Sequence, residues 1–210
     1  MPEENKKAMV QLLSKHGIPL IEDDLYGDVY FGPNRPKPCK AFDEEGMVLW
    51  CGSVSKTLAP GYRVGWMDPG KFLKDILKLK LFHSVSGTTL TQEAIGHFLE
   101  NGRYEKHLGQ IRKTLYANSL QFIRAIGDYF PEGTKVSQPQ GGFVLWVELE
   151  KGMDTGKLFD KLLSQGISIA PGRMFTLQNQ FYHCMRLNYG LPWSDRLDRQ
   201  IYRLGQMLKQ

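Results

Sequence analysis

Hydrophobic and polar positions alternate with two periods along this chain. Ala8, Met9, Leu12 and Leu13 fall on one stripe, with Glu3 and Glu4 in the first turn, Pro2 before them and Gly17 behind. That spacing predicts a helix from about Pro2 to His16. Ile18-Pro19-Leu20-Ile21 then predicts a short strand ending in Glu22-Asp23-Asp24, and Met47-Val48-Leu49-Trp50-Cys51 predicts a second. After the turn Ala59-Pro60-Gly61, the apolar stretch Tyr62–Met67 suits a third. Phe72, Leu73, Ile76 and Leu77 interleave with Lys71, Lys74 and Lys78, the spacing of a helix over Lys71–Lys80 with a solvated lysine face rather than a DNA-binding arm. Three strands with open edges make half a sheet.

The second half opens on a long helical tract from Thr91 to about Tyr129. Gly102 is its expected interruption, and Leu108, Ile111, Leu115, Phe122 and Ile126 recur at core spacing. Strand patterns return at Gly142–Leu149, Ile167–Ala170 and His183–Asn188, among helical stretches at about Thr155–Gln165 and Ser194–Gln210. The expected fold is α/β: a partial sheet with helices in residues 1–101, followed over residues 102–210 by an interdomain helix and a small α+β domain.

Composition narrows the class. Of 210 residues, 41% are hydrophobic, 23% charged and 11% aromatic, a globular balance that argues against disorder. No apolar run approaches the roughly 20 residues of a membrane span, and the N-terminus has no apolar core behind its charges, so neither membrane nor secretion is expected. Cys39, Cys51 and Cys184 are odd in number and lack ligand spacing, which points to the reducing cytoplasm without structural metal. The net charge of +5 decides nothing between an anionic small molecule and nucleic acid.

The chemically informative segment is Ser53-Val54-Ser55-Lys56-Thr57-Leu58-Ala59-Pro60-Gly61-Tyr62-Arg63, a lysine among hydroxyls at a strand end, seven residues before an arginine. Strand ends of α/β sheets are where ligands bind. Ser53, Ser55 and Arg63 offer hydrogen bonds and charge to a phosphate, and Lys56 offers an amine able to condense with an aldehyde. Upstream, Asp23 leaves another strand end with Tyr26 three residues on. A buried carboxylate there can keep a pyridine nitrogen protonated, and a phenol can bond a ring hydroxyl, which together describe the needs of pyridoxal phosphate. Taken singly, each has a plainer role: Asp23 and Asp24 as turn caps before Gly27, Ser53 and Ser55 as turn residues, Tyr26 as packing, Lys56 and Arg63 as surface charges. Their joint order is much harder to produce by accident.

The stretches Ile21-Glu22-Asp23-Asp24-Leu25-Tyr26-Gly27 and Gly52–Trp66 resemble the fold-type I, class I/II aminotransferase signature, as do Pro139-Gln140-Gly141-Gly142-Phe143 and Met185-Arg186-Leu187-Asn188. The resemblance covers essentially the whole chain. It implies the C-terminal part of a PLP-dependent transferase large domain followed by the small domain. It implies Lys56 as the lysine of the internal aldimine, Asp23 on the pyridine nitrogen, Tyr26 on the ring hydroxyl, and Ser53, Ser55 and Arg63 on the phosphate. Arg186 matches the arginine that grips a substrate α-carboxylate; without the family, an arginine on a solvent-facing strand is an equal alternative. Gly141-Gly142 either lets a ligand approach the backbone or shapes the start of a strand.

Lys40-Ala41-Phe42-Asp43 and Gly46–Ser53 are more similar to the aminotransferase-like domains of MocR-type GntR regulators than to metabolic transaminases. In that family a winged helix-turn-helix domain precedes the aminotransferase-like half. The family's phosphate-covering loop, its ring-stacking aromatic and its Asn-Pro-x-Gly segment have no counterpart here, so Met1 is expected to be an internal position of a longer protein or the start of a truncated one, and these 210 residues are expected not to transaminate unaided. Two readings follow: a ligand-sensing effector region, whose exchange with an amine or amino acid biases an attached DNA-binding domain, or a free-standing aminotransferase acting on an amino acid. A cofactor-free interaction module is a third. DNA is expected to be touched only through the preceding domain. The resemblance further implies a homodimer, with residues around Ser86–Thr89 reaching a partner's site.

Overall fold

In the computed structural model, which describes residues 1–209, helix α1 spans Glu3–Lys15. Gly17 closes it at φ 65°, where the Gly17 N–H reaches Ser14 O and the Ile18 N–H reaches Leu13 O. That backward bonding is the usual glycine termination of a helix. It draws Ile18 out of the predicted strand, so β1 begins at Leu20 and runs Leu20–Asp23.

Strand β2, Val48–Ser53, lies parallel to β1 with Leu20 opposite Val48 and Asp23 opposite Cys51. Strand β3, Gly65–Asp68, runs antiparallel to β2 on its other side, with Ser53 opposite Gly65. Because β1 and β2 are parallel, their C-terminal ends open on the same edge. Val10 of α1, Cys39 and Val48 form a buried cluster flanked by Met9, Leu20 and Phe42. The 3-10 turn Cys39–Phe42 is pinned to β1 by Glu22, whose Oε1 and Oε2 accept the Cys39 and Lys40 N–H at 2.6 and 2.9 Å.

Helix α2, Leu73–Ser84, has no buried residue: Leu73, Leu77 and Leu81 are exposed beside its lysines. The amphipathic pattern predicts the helix, but its apolar face is left exposed among the described residues. Helices α3, Thr89–Glu100, and α4, Arg103–Tyr129, are separated at Gly102, which takes φ 72° where the pattern predicted a break. The chain forms two compact units, Met1–Ile111 and Arg112–Gln210, so the division falls within α4.

The second unit carries an antiparallel sheet of β4 (Lys135–Val136), β5 (Val144–Glu148), β6 (Ala170–Pro171) and β7 (Cys184–Asn188), in the order β4-β5-β7-β6. Leu145 and Val147 alternate into the core, beside buried Met185 and Leu187 of β7. Helix α5, Thr155–Leu163, is capped by Asp154, and α6, Asp195–Leu208, by Ser194, whose Oγ accepts the Leu197 N–H. The predicted strand over Ile167–Ala170 contracts to Ala170–Pro171, because Gly166 at φ 74° ends α5 and the Ile167 N–H bonds back to Leu162 O. Among the described residues no helix is long and apolar enough to cross a membrane.

Candidate functional site

The loop after β2 is wound tightly on itself. Buried Val54 presents a carbonyl that accepts the N–H of Thr57, Leu58 and Ala59 at 3.3, 2.9 and 3.0 Å. This turn leaves Lys56 exposed, with Nζ 5.9 Å from the centroid of the Tyr26 ring. Tyr26 sits in its own turn just past β1, where the Gly27 N–H reaches Asp24 O at 3.0 Å and the Val29 N–H reaches Tyr26 O at 2.9 Å. The two strand ends therefore bring amine and phenol together.

The adjacent aspartates have different fates. Asp24 is largely buried, its Oδ2 accepting from Arg35 Nη2 at 2.7 Å and from Trp50 Nε1 at 2.9 Å. Asp23, the last residue of β1, is exposed on the edge shared with Lys56, and its Oδ1 accepts the Leu25 N–H at 3.3 Å. The side-chain capping role the sequence allowed for the pair is taken by Asp23, which is exposed rather than buried and outside any ion pair among the described residues, while the Asp24 carboxylate is taken by Arg35 and Trp50.

Ser53 and Ser55 bring their Oγ atoms within 2.8 Å of each other, and Ser53 Oγ donates to Val64 O at 2.8 Å. Since Val64 follows Arg63, that bond ties the β2 end to the arginine's backbone. Arg63 itself adopts φ 54°, an unusual conformation for a non-glycine residue and one that clusters at functional sites. Its exposed guanidinium turns toward Pro60 O at 3.5 Å rather than to either serine. Opposite Ser53, Gly65 sits close to its neighbour strand: a Cβ there would stand 3.0 Å from Gly52 O, a tight approach.

Arg186 belongs to the second unit. It is exposed on β7, opposite Trp146 and Ala170, with its guanidinium carbon 4.9 Å from the centroid of the Phe175 ring. Trp146 packs edge-on against Phe175 and Phe181, with centroids 5.6 and 5.7 Å apart. Of Gly141-Gly142, Gly142 takes φ 77° and its carbonyl accepts the buried Tyr189 hydroxyl at 3.0 Å, which favours the role in strand geometry.

Several polar residues around the first site had no signal in the sequence. Arg35 bridges Asp24 to Asp28 Oδ1 through Nε at 2.7 Å. Burial works against its charge, but hydrogen bonds to the two carboxylates raise its pKa above the ordinary guanidinium value. Tyr104 OH lies 2.8 Å from Thr57 Oγ1, and burial pushes the phenol up. The Cys51 thiol beside Asp23 is likewise pushed up by burial and by that carboxylate, so it stays protonated.

The donor set at the β1 and β2 ends comprises a primary amine, an unpaired carboxylate, a phenol, two hydroxyls and a guanidinium one loop away. In its chemistry the set fits a phosphorylated aromatic aldehyde: each polar part of such a molecule has a matched residue at the ends of β1 and β2 or in the loops that follow them. Among the described residues no group of three or more His, Cys, Asp or Glu side chains converges on a metal position.

The first unit is α/β, with a lysine loop just past the ends of two parallel strands, and the second is α+β. The family model for aminotransferase class I and II matches residues 1–196, and the chain belongs to that family. The uncharacterized HTH-type transcriptional regulator YdcR of Escherichia coli K12 is 35% identical over 207 residues, covering 99% of this chain and 44% of the relative. Aromatic-amino-acid aminotransferase 1 of Thermococcus litoralis is 30% identical over 212 residues, covering 100% of this chain and 51% of the relative. The crystal structure of Pyrococcus horikoshii kynurenine aminotransferase, in complex with PMP, superposes at a TM-score of 0.92 with 31% identity over 100% of this chain and 52% of that one. The chain spans about half the length of the curated relatives it matches.

Proposed function

We propose that this chain is the pyridoxal 5'-phosphate-binding, aminotransferase-like effector region of a GntR/MocR-type transcription regulator. The observation that carries the site is the position of the Lys56 amine over the Tyr26 ring at the shared end of β1 and β2. The regulator reading is supported by the 35% identity to an HTH-type regulator across 99% of the chain.

In this reading Lys56 is the residue that carries the cofactor covalently, and the cofactor when bound supplies an aldehyde for amines and a ring that withdraws electrons from the attached carbon. Asp23 holds a proton on the ring nitrogen; its carboxylate is exposed and makes no ion pair among the described residues, so the bound ring itself has to shield the contact from water. Tyr26 bonds the ring hydroxyl. Ser53 and Ser55 bind the phosphate through their hydroxyls, with Arg63 swinging from Pro60 O to the same group. In the aminotransferase alternative Lys56 would also move protons at the substrate carbon as general base. Arg186 grips the α-carboxylate of an amino acid with its planar fork. The division into a cofactor-holding portion, residues 1–101, and a small domain, residues 102–210, belongs to the same proposal.

The partner is then a small amine or amino acid, and DNA contact belongs to a helix-turn-helix reader outside these residues. A homodimer in the cytoplasm completes the reading; the free state of Cys39, Cys51 and Cys184 suits a reducing compartment. The alternative, an aminotransferase acting on an amino acid, draws on the Thermococcus relative. The parent protein separates the two: amino-acid-dependent change in DNA affinity supports the effector, steady transamination the enzyme. Borohydride trapping with pyridoxal phosphate followed by peptide mass spectrometry tests the site itself. Label at Lys56, absent in Lys56→Ala, is expected; label spread over surface lysines alone refutes the assignment.

A further inference from the structure

Thr57, the neighbour of Lys56, is only 2% exposed, yet it carries a hydroxyl and a carbonyl into that burial. Both are held from one face of α4. The Thr57 carbonyl lies 2.8 Å from His107 Nε2, and since a carbonyl only accepts, His107 carries its proton on that nitrogen. Thr57 Oγ1 meets Tyr104 OH at 2.8 Å. Tyr104 OH in turn donates to Asp28 Oδ2 at 3.2 Å, and a phenol has one proton, so the Thr57 hydroxyl supplies the proton of the first contact.

The chain of bonds continues. Asp28 Oδ1 accepts from Arg35 Nε, Arg35 Nη2 donates to Asp24, and Asp24 also accepts from Trp50 of β2. The path thus starts beside the amine-bearing loop and returns to the end of β1, next to Asp23. Each donor along it has an acceptor, the condition under which a buried polar network fixes a geometry instead of loosening it. Tyr104 and His107 lie three residues apart on a helix, hence on one face, and grip Thr57 at two points.

We propose that Tyr104 and His107 are positioning residues for Lys56: through Thr57 and the Asp28–Arg35–Asp24 path they hold the lysine loop at a fixed spacing from Asp23 and Tyr26. This rests on the reading of Lys56 as the cofactor's attachment point. Both act through Thr57. Their effect is on how often the amine presents itself to the aldehyde, and small misplacements of a reacting atom are costly in rate.

The step to follow is addition of the Lys56 amine to the aldehyde carbon of pyridoxal phosphate, with formation of a C=N bond and loss of water. Borohydride then reduces that bond by hydride, leaving a stable product countable by mass. Wild type, Tyr104→Phe, Thr57→Val and the double variant are mixed with pyridoxal phosphate, quenched at intervals, and compared with total cofactor retained at saturation. Each single variant is expected to slow labelling of Lys56 about tenfold, with the double variant no slower than either, because one path is cut twice. Total retention is expected to stay unchanged, since the hydroxyls and Arg63 remain. Thr57→Ser, which keeps the hydroxyl, is expected to label at the wild-type rate. Labelling of Tyr104→Phe within twofold of wild type overturns the proposal. So does slowing that is matched by equal losses of retention and melting temperature, the mark of general destabilisation. Wild type that never labels Lys56 overturns the cofactor reading and the positioning role with it.

Discussion

Arg35 and Asp24 meet at 2.7 Å directly over Gly27, so closely that a Cβ at position 27 would overlap Arg35 Nη2 and both oxygens of the Asp24 carboxylate. Gly27 is thus a glycine because an ion pair lies against its backbone, and positive φ has no part in it. Gly27→Ala is expected to push the pair apart and cost about 1–2 kcal/mol, the range for a half-buried, hydrogen-bonded charge losing alignment. Urea unfolding measures it. A Gly27→Ala protein as stable as wild type would mean that the pair moves aside freely and contributes little.

Asp43 has a side chain with no exposure, yet it is charged. Burial opposes ionisation, but the Val48 and Met47 N–H, at 3.0 and 2.9 Å, and Lys40 Nζ at 3.1 Å hold its pKa below the ordinary carboxylate value. A depressed folded pKa contributes stability that is complete above the unfolded value, about 3.9, and is lost as pH falls through the lower folded value. Asp43→Asn is expected to cost about 2 kcal/mol at neutral pH, because an amide sets N–H against N–H. The gap between the two proteins should narrow only below about pH 4. Denaturant midpoints across pH check this, and a gap that stays constant through that window would contradict it.

Asp154 accepts the N–H of Gly156 at 2.9 Å and of Lys157 at 3.2 Å, satisfying two of the free donors that open α5. Asp154→Ala is expected to lower stability by about 1 kcal/mol. The loss should appear first as faster amide exchange in residues 155–163, a region far in sequence from the lysine loop.

The elements were legible where a single local period governs them. The break at Gly102, the start of α1 and the end of β1 at Asp23 follow from spacing and turn residues alone. Errors arose at helix ends. At Ile18 and Ile167, an apolar residue follows a left-handed glycine and reads as the start of a strand, but its N–H is taken by the departing helix. The strand then starts two or three residues later. The candidate site around Lys56 is legible in the sequence because its residues come in two short runs. Its support is not: Tyr104 lies 76 residues from Asp28 and 47 from Thr57, and nothing in the periodicity of α4 distinguishes a phenol that bonds across the fold from one that fills a core. Pattern reasoning finds residues that act together when they are near in sequence; only tertiary folding joins these. The exposed apolar face of α2 shows the complementary limit, since amphipathic spacing predicts a helix and says nothing of what covers it.

The guanidinium of Arg186 lies on the Phe175 ring, which is itself braced edge-on by Trp146. A guanidinium resting over an aromatic ring offers a planar fork that can make two parallel bonds to a carboxylate, whereas a lysine at the same position offers a point charge on a flexible stem. Arg186→Lys therefore retains the charge and removes the geometry. With cofactor bound, it is expected to weaken affinity for amino acids by at least tenfold while leaving affinity for simple amines, which lack the carboxylate, within about twofold. Phe175→Leu is expected to act in the same direction and more weakly, since the arginine survives but loses its platform. Titration of the bound cofactor's visible spectrum with an amino acid and with its decarboxylated amine reads both affinities on one sample. Equal losses for the two ligands would place Arg186 outside carboxylate recognition, and an unchanged amino-acid affinity in both variants would return it to the role of a surface strand residue.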